Sequence, residues 1–148
     1  MTVIAWDGKT LAADKQATLF SMKVTTTKIR RIKRRDVVNE VLAWSGDQDS
    51  GQAMAAWYEA GANPTLFHEC QQNNEAWTRL IVADRYGAKY YERSPIGVKV
   101  EDAFAAWGTG SDFAVMAMHL GKSAREAVEL TCLFATGCGN GVDSFDLT

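Results

Sequence analysis

The sequence predicts an α+β domain in which antiparallel sheets carry helices on their outer faces. Three observations point there. β-branched and apolar runs come in pairs around turn dipeptides such as Asp7-Gly8 and Tyr86-Gly87. Segments of different type are grouped in the order strands, helix, strands, helices, which is not the strand-by-strand alternation of a parallel βαβ sheet. At 148 residues with 47% apolar side chains, residues 1–148 make one domain, long enough to bury roughly two-thirds of the surface its unfolded chain exposes.

Residues 3–6 and 9–14 are short apolar runs on either side of Asp7-Gly8 and read as a hairpin. The β-branched stretch Thr25 to Ile32 and, after a polar break at Asn39-Glu40, Val41 to Trp44 read as a second strand pair. Asp49-Ser50-Gly51-Gln52 resembles a helix start, with Met54, Trp57 and Tyr58 at helical spacing and Gly61 as a stop. Thr65 to Trp77 is weakly helical at best. Leu80 to Ala83 and Ala88 to Tyr91 flank Tyr86-Gly87 as another hairpin, and Ala103 to Trp107 is one more strand before Gly108-Thr109-Gly110-Ser111. A helix over Asp112 to Leu120 follows. A second opens on the capping box Ser123-Ala124-Arg125-Glu126, with Ala127, Val128, Leu130, Thr131 and Phe134 lining a face.

Composition narrows the function classes. The net charge of -2 gives no overall pull toward nucleic acid or anionic lipid, and no window is apolar enough to span a membrane. The first residues lack the basic start and long apolar stretch of a secretory signal, so the expected location is the cytoplasm. Cys70, Cys132 and Cys138 form no CxxC pair and read as buried or idle thiols. His68 and His119 are thin material for a histidine triad or a metal centre.

Chemistry begins at position 2. If Met1 is removed, Thr2 becomes the N-terminus, and one residue then supplies both a hydroxyl nucleophile and an amine base. Asp14 ends the first hairpin and Lys28 lies downstream in the next strand stretch; singly, each reads as a solvated surface charge. Taken together, Thr2-Val-Ile-Ala-Trp, Ala12-Ala13-Asp14-Lys-Gln-Ala-Thr, Lys28-Ile-Arg-Arg-Ile, Trp44-Ser-Gly46 and Gly108-Thr-Gly-Ser111 resemble the proteasome β-subunit family of N-terminal nucleophile hydrolases, above all its HslV peptidase branch. The resemblance runs from residue 2 to about residue 142.

That resemblance implies a four-layer αββα sandwich of the N-terminal nucleophile hydrolase type and a threonine peptidase acting on peptide bonds. Thr2 matches the catalytic threonine, whose hydroxyl attacks a peptide carbonyl while its own amine acts as the base. Lys28 matches the active-site lysine, whose charge favours the neutral amine and the deprotonated oxygen. Asp14 matches the aspartate that holds that lysine. Gly46 falls where the family places the glycine whose N–H faces the oxyanion. Thr109 stands at the serine of the family's Gly-Ser-Gly element, with Ser111 two places on; either hydroxyl would hydrogen-bond the Thr2 amine and relay its proton. Peptide or unfolded protein as substrate, a homo-oligomeric ring and an ATP-dependent unfoldase partner also come with the resemblance.

The chain departs from the family pattern in two places. Ala135 and Cys138 replace an Asp and a Ser of proteasome β-subunits, although the HslV branch also lacks that aspartate. In that branch, loop carbonyls spaced three apart bind a structural sodium ion, and Ala135, Cys138 and Gly141 have the spacing. No other cofactor is implied. The segment between Gly61 and Arg79 is shorter than the family's second central helix needs, so ring size and ATPase docking are not carried over.

Competing readings are weaker. Gly108-Thr-Gly-Ser-Asp-Phe looks like the start of a dinucleotide loop, but Phe113 occupies the third glycine position. Lys28 to Arg35 holds six basic residues in eight, yet no aromatics are interleaved and Ile29 and Ile32 suggest a strand with one buried face. Asp47 to Gly51 has a faint calcium-loop look, but Tyr58 stands where the loop's glutamate belongs. Two further readings are a proteasome-like scaffold without proteolysis and an N-terminal nucleophile amidase acting on small amides.

Overall fold

The computed structural model describes residues 1–33, 39–71 and 78–148. Two antiparallel sheets face each other at its centre. The first has the order β10–β1–β2–β11, built from β1 (Ile4–Trp6), β2 (Thr10–Asp14), β10 (Ala105–Trp107) and β11 (Val142–Asp146). The second runs β5–β6–β7–β8–β9, from β5 (Ile29–Lys33), β6 (Asn39–Ser45), β7 (Arg79–Asp84), β8 (Gly87–Tyr91) and β9 (Val98–Lys99). A separate hairpin, β3 (Gln16–Leu19) with β4 (Met22–Thr25), projects beside them.

Strand alternation explains the layers, because successive side chains point to opposite faces. Ile4, Trp6, Leu11 and Ala13 of the first sheet meet Ile29, Val41, Ala43, Ile81 and Ala83 of the second. The opposite parity, Val3, Ala5 and Ala12, packs under α2 (Ser111–His119) and α3 (Ala124–Phe134). On the far side, Leu42, Trp44, Leu80 and Val82 pack against α1 (Gln48–Glu59) and Phe67 of a 3-10 helix, Pro64–Gln71. The result is helix, sheet, sheet, helix: the expected four-layer αββα sandwich.

Local chemistry sets the element ends. The Asp7 carboxylate accepts the Lys9 and Thr10 N–H groups, and Gly8 takes φ +97°, closing the first hairpin. α3 carries the expected capping box, with reciprocal Ser123–Glu126 hydrogen bonds. α1 starts two residues earlier than expected. Its cap is Asp47, which accepts the Ser50 N–H at 2.9 Å, rather than Asp49.

Other differences have physical reasons. The stretch from Thr25 is not one strand: β4 ends at Thr25 and β5 begins at Ile29, leaving 26–28 to carry the chain between sheets. Asn39 and Glu40 belong to β6 rather than to a break. Ile29 and Ile32 lie on opposite faces, one in the inter-sheet core and one under α1, because three residues along a strand reverse the side; β5 therefore has two covered faces. The hairpin β3–β4 and the edge strand β11 escaped the pattern because they are polar or half-buried, and the β3–β4 turn carries Phe20 at φ +56° in place of a glycine. Residues 34–35 of the basic run and 72–77 of the weakly helical stretch lie outside the described residues.

Gly51 lies in α1 directly over Trp44, and a Cβ there would run into the indole. Gly51→Ala is expected to overpack this layer and destabilise the fold by about 1–3 kcal/mol. Urea denaturation measures it; an unchanged midpoint would show that the α1–β6 contact is loosely packed.

Candidate active site

Thr2 precedes β1 and is buried, as are Asp14 at the end of β2 and Lys28 in the connection to β5. The Lys28 ammonium reaches the Thr2 Oγ1 at 3.1 Å and the Asp14 Oδ1 at 2.9 Å. It also donates to the Met1 carbonyl at 3.0 Å. Three residues far apart in sequence therefore converge on one point at the end of the inter-sheet core. While Met1 is attached, the Thr2 nitrogen is an amide and cannot act as a base.

The Asp14–Lys28 pair is almost wholly out of solvent, with side-chain exposures of 0% and 4%. Removing two charges from water costs several kcal/mol per ion unless pairing and hydrogen bonds replace hydration. Here they do. Asp14 Oδ1 also accepts the Val3 N–H at 3.0 Å, and Oδ2 accepts the Gly139 N–H at 3.0 Å and the Gln16 N–H at 3.3 Å. So many donors on one carboxylate hold it rigidly, and it in turn aims the lysine at the Thr2 hydroxyl.

The Gly108–Ser111 turn wraps the other side of Thr2. Gly108 takes φ +94°, and a side chain there would collide with the Thr2 carbonyl. The Gly110 N–H donates to that carbonyl at 3.2 Å, and the Ser111 N–H closes the turn onto the Gly108 carbonyl at 3.1 Å. Among the described residues neither the Thr109 nor the Ser111 hydroxyl bonds Thr2. The turn thus fixes the threonine backbone.

Gly46 sits past the end of β6 at φ +106°, exposed, with its N–H donating to no partner among the described residues. It lines a cleft of about 500 Å³ together with Thr2, Lys28, Thr18, Thr26 and Gln48. Gln48 is fully engaged there: its Oε1 accepts from the Trp44 indole at 3.0 Å and its Nε2 donates to Thr26 Oγ1 at 3.2 Å. An acyl carbonyl entering this cleft would meet a hydroxyl, a cation and a free backbone donor.

The loop 135–141 lies behind Asp14. Of the carbonyls assigned to a sodium ion, Ala135 already accepts the Cys138 N–H at 3.1 Å and Gly141 accepts the Lys15 N–H at 3.1 Å. Each keeps one lone pair, which is oxygen chemistry suited to a hard cation but not an open cradle. Among the described residues no group of His, Cys, Asp or Glu is placed to hold a metal, and no helix is long and apolar enough to cross a membrane.

The basic run has other work. Lys28 belongs to the site, Arg30 pairs with Glu59 and lies over Trp44, and Arg31 lies over Phe145 and donates to the Asp146 carbonyl. Asp47 is a helix cap rather than a calcium ligand. Gln16 and Gly139, both holding Asp14, had no sequence signal of their own; only the Asp14-Lys-Gln spacing, which turns the Gln16 N–H back onto the carboxylate, hinted at one of them.

Comparison with solved structures assigns the fold. The chain is similar to eukaryotic HslV from Trypanosoma brucei, with 19% identity, a TM-score of 0.69 and 97% of each chain covered. It is similar to Thiobacillus denitrificans BPH, at 20% identity and TM-score 0.69 over 99% of this chain and 98% of that one; another structure of BPH is a complex with epoxomicin. An Anbu (Gly-1) mutant from Hyphomicrobium sp. strain MC1 matches at 12% identity and TM-score 0.70, over 99% of this chain and 82% of that one. No protein-family model matches, and no curated protein matches in sequence. The chain has the HslV/proteasome β-type fold.

The two thiols next to the site are poor nucleophiles. Burial, reinforced by the Asp14 charge, pushes Cys132 up to about 11 and raises Cys138 as well. Iodoacetamide at pH 8 is expected to leave Cys132 largely unmodified in the folded protein and to modify it readily in urea. Rapid modification of the folded chain at that pH would contradict this electrostatic picture.

Proposed function

We propose that the chain is a threonine peptidase whose nucleophile is the Thr2 hydroxyl, active once Met1 has been removed. The observation that carries this reading is the Lys28 ammonium held by Asp14 at hydrogen-bond distance from Thr2 Oγ1. A lysine kept charged in this place has no packing role that an apolar residue could not fill better.

In this mechanism the free Thr2 amine takes the hydroxyl proton, and Oγ1 attacks the peptide carbonyl carbon. The reference pKa of an α-amine, about 7.7–8.0, suits a base near neutral pH, and the neighbouring ammonium favours its neutral form. The oxyanion develops toward the Gly46 N–H. Collapse breaks the C–N bond, the amine proton goes to the leaving nitrogen, and an ester on Thr2 remains. Water, deprotonated by the same amine, then releases the acid and regenerates the hydroxyl. Thr109 and Ser111 supply the relay for the new N-terminus. The backbone carbonyls of Ala135, Cys138 and Gly141 would be the ligands of a structural sodium ion.

The cleft favours an extended peptide over a small amide. Among the described residues β3 pairs only with β4, so its other edge is open there, and Gln16 to Leu19 line the cleft wall. A homo-oligomeric ring is part of this reading, and the exposed apolar face of α2 and α3, with Phe113, Met116, Leu120 and Phe134, is a surface for such contacts. An unfoldase partner and a cytoplasmic location belong to the same proposal.

Intact mass is expected to show Met1 absent and a peptide epoxyketone adding once, at Thr2. Retained Met1 in native material would overturn the peptidase reading, and cleavage of small amides without peptides would favour an amidase. Thr2→Ala should abolish turnover of fluorogenic peptides, and Lys28→Met should lower kcat about 100- to 1,000-fold. A folded Thr2→Ala variant that still cleaves would move the site elsewhere, and an unlabelled, inactive but folded parent would leave the scaffold reading.

A further inference from the structure

The loop 135–141 touches the site through its backbone. The Gly139 N–H donates to Asp14 Oδ2 at 3.0 Å. The buried Gln16 amide donates to the Thr136 carbonyl at 3.2 Å, and its Oε1 occupies the space beside Gly139 so closely that a Cβ on Gly139 would lie 2.8 Å from it. The Gln16 N–H donates to the same Asp14 oxygen. Gln16 therefore fastens the loop from one side while its own backbone and the loop's Gly139 grip one carboxylate oxygen. Further ties hold the loop in register: the Lys15 N–H donates to the Gly139 carbonyl at 3.0 Å, and Asn140 Nδ2 donates to the Val24 carbonyl at 3.1 Å.

We propose that Gln16 and Gly139 are positioning residues for the reaction, acting through Asp14 on the direction of the Lys28 ammonium. This rests on the Thr2 peptidase reading. The two Asp14 oxygens divide the work. Oδ1 faces Lys28 and the Val3 N–H, next to the nucleophile, and Oδ2 faces the clamp. A carboxylate held at only one oxygen swings about its Cβ–Cγ bond, and Lys28, being buried, must follow it or lose its partner. Displacements of this kind, of the order of 1 Å, cost about 100-fold in rate when they misdirect a reacting group. Gln16 also lines the cleft wall at the start of β3, so the residue that steadies Asp14 is the one a bound peptide lies beside.

The test compares Gln16→Ala, Gly139→Ala, the double variant and Lys15→Ala in the full-length protein. Lys15→Ala removes the Lys15–Asp143 ion pair at the outside of the loop but leaves Asp14 untouched. Gln16→Ala and Gly139→Ala are each expected to lower kcat and the epoxyketone labelling rate roughly 10- to 100-fold. KM should stay within about twofold for Gly139→Ala, because Gly139 does not line the cleft. The double variant should fall no further than the worse single, since both act through one carboxylate oxygen. Gln16→Asn, which keeps an amide donor, should recover part of the loss, and Lys15→Ala should stay within about twofold of the parent. Urea denaturation separates variants that fail to fold; if Gly139→Ala does, Gln16→Ala and its Asn counterpart decide the question. Folded Gln16→Ala and Gly139→Ala that label at the parental rate overturn the positioning role, as does an equal loss in Lys15→Ala. A parent that never labels at Thr2 overturns the peptidase reading itself, and this inference with it.

Discussion

A carboxylate and an ammonium buried together at the edge of the inter-sheet core constrain the structure around them. Asp14 and Lys28 are nearly invisible to solvent, so every lone pair and proton they lose to water must be replaced from the protein. That need reaches far along the chain. β2 has to end at Asp14, the connection 26–28 has to leave the strand so that Lys28 points inward, and the loop 135–141 has to return its backbone to the carboxylate. Thr2 then sits beside a cation whose place is settled by three regions of sequence.

The sandwich supplies the rigidity this arrangement needs. Both sheets are covered on both faces, and the site lies where β1, β2 and the start of β5 come together at one end of the middle layer. Glycines permit the close approaches: Gly108 lets the Thr2 carbonyl cross over the turn, and Gly46 leaves its N–H open to the cleft. Both are backbone functions of this chain, and the similarity to HslV and BPH, near 20% identity, is one of fold.

Much of this was legible in the sequence because it is local. Asp7-Gly8 marks its hairpin, Ser123 to Glu126 marks its capping box, and strand parity places Leu11 and Ala13 opposite Ala12. Thr2, Asp14, Lys28, Gly46, Thr109 and Ser111 are legible as candidates through their order in a family pattern. What stayed hidden depends on long-range contact. Gln16 reads as an ordinary polar strand residue until Thr136 and Gly139, more than a hundred positions away, are folded against it. Edge strand β11 is hidden for the same reason, since its mixed polar sequence acquires strand character by pairing with β2. The helix start at Asp47 was missed because Asp49 offers an equally good local cap, and the choice is made by Ser50 and by Thr78 holding the Asp47 N–H.

The loop 135–141 carries no carboxylate, and what its backbone brings to the site is the Gly139 N–H on Asp14. The central claim is that the Thr2 hydroxyl is the group Lys28 serves. A crystal structure of the chain lacking Met1, soaked with a peptide boronate, tests it most directly. The account predicts a tetrahedral boron bonded to Thr2 Oγ1, with Lys28 alongside and a boronate oxygen facing the Gly46 N–H. Boron bonded to another residue, or an empty Thr2 in a crystal whose cleft holds the peptide, would contradict it.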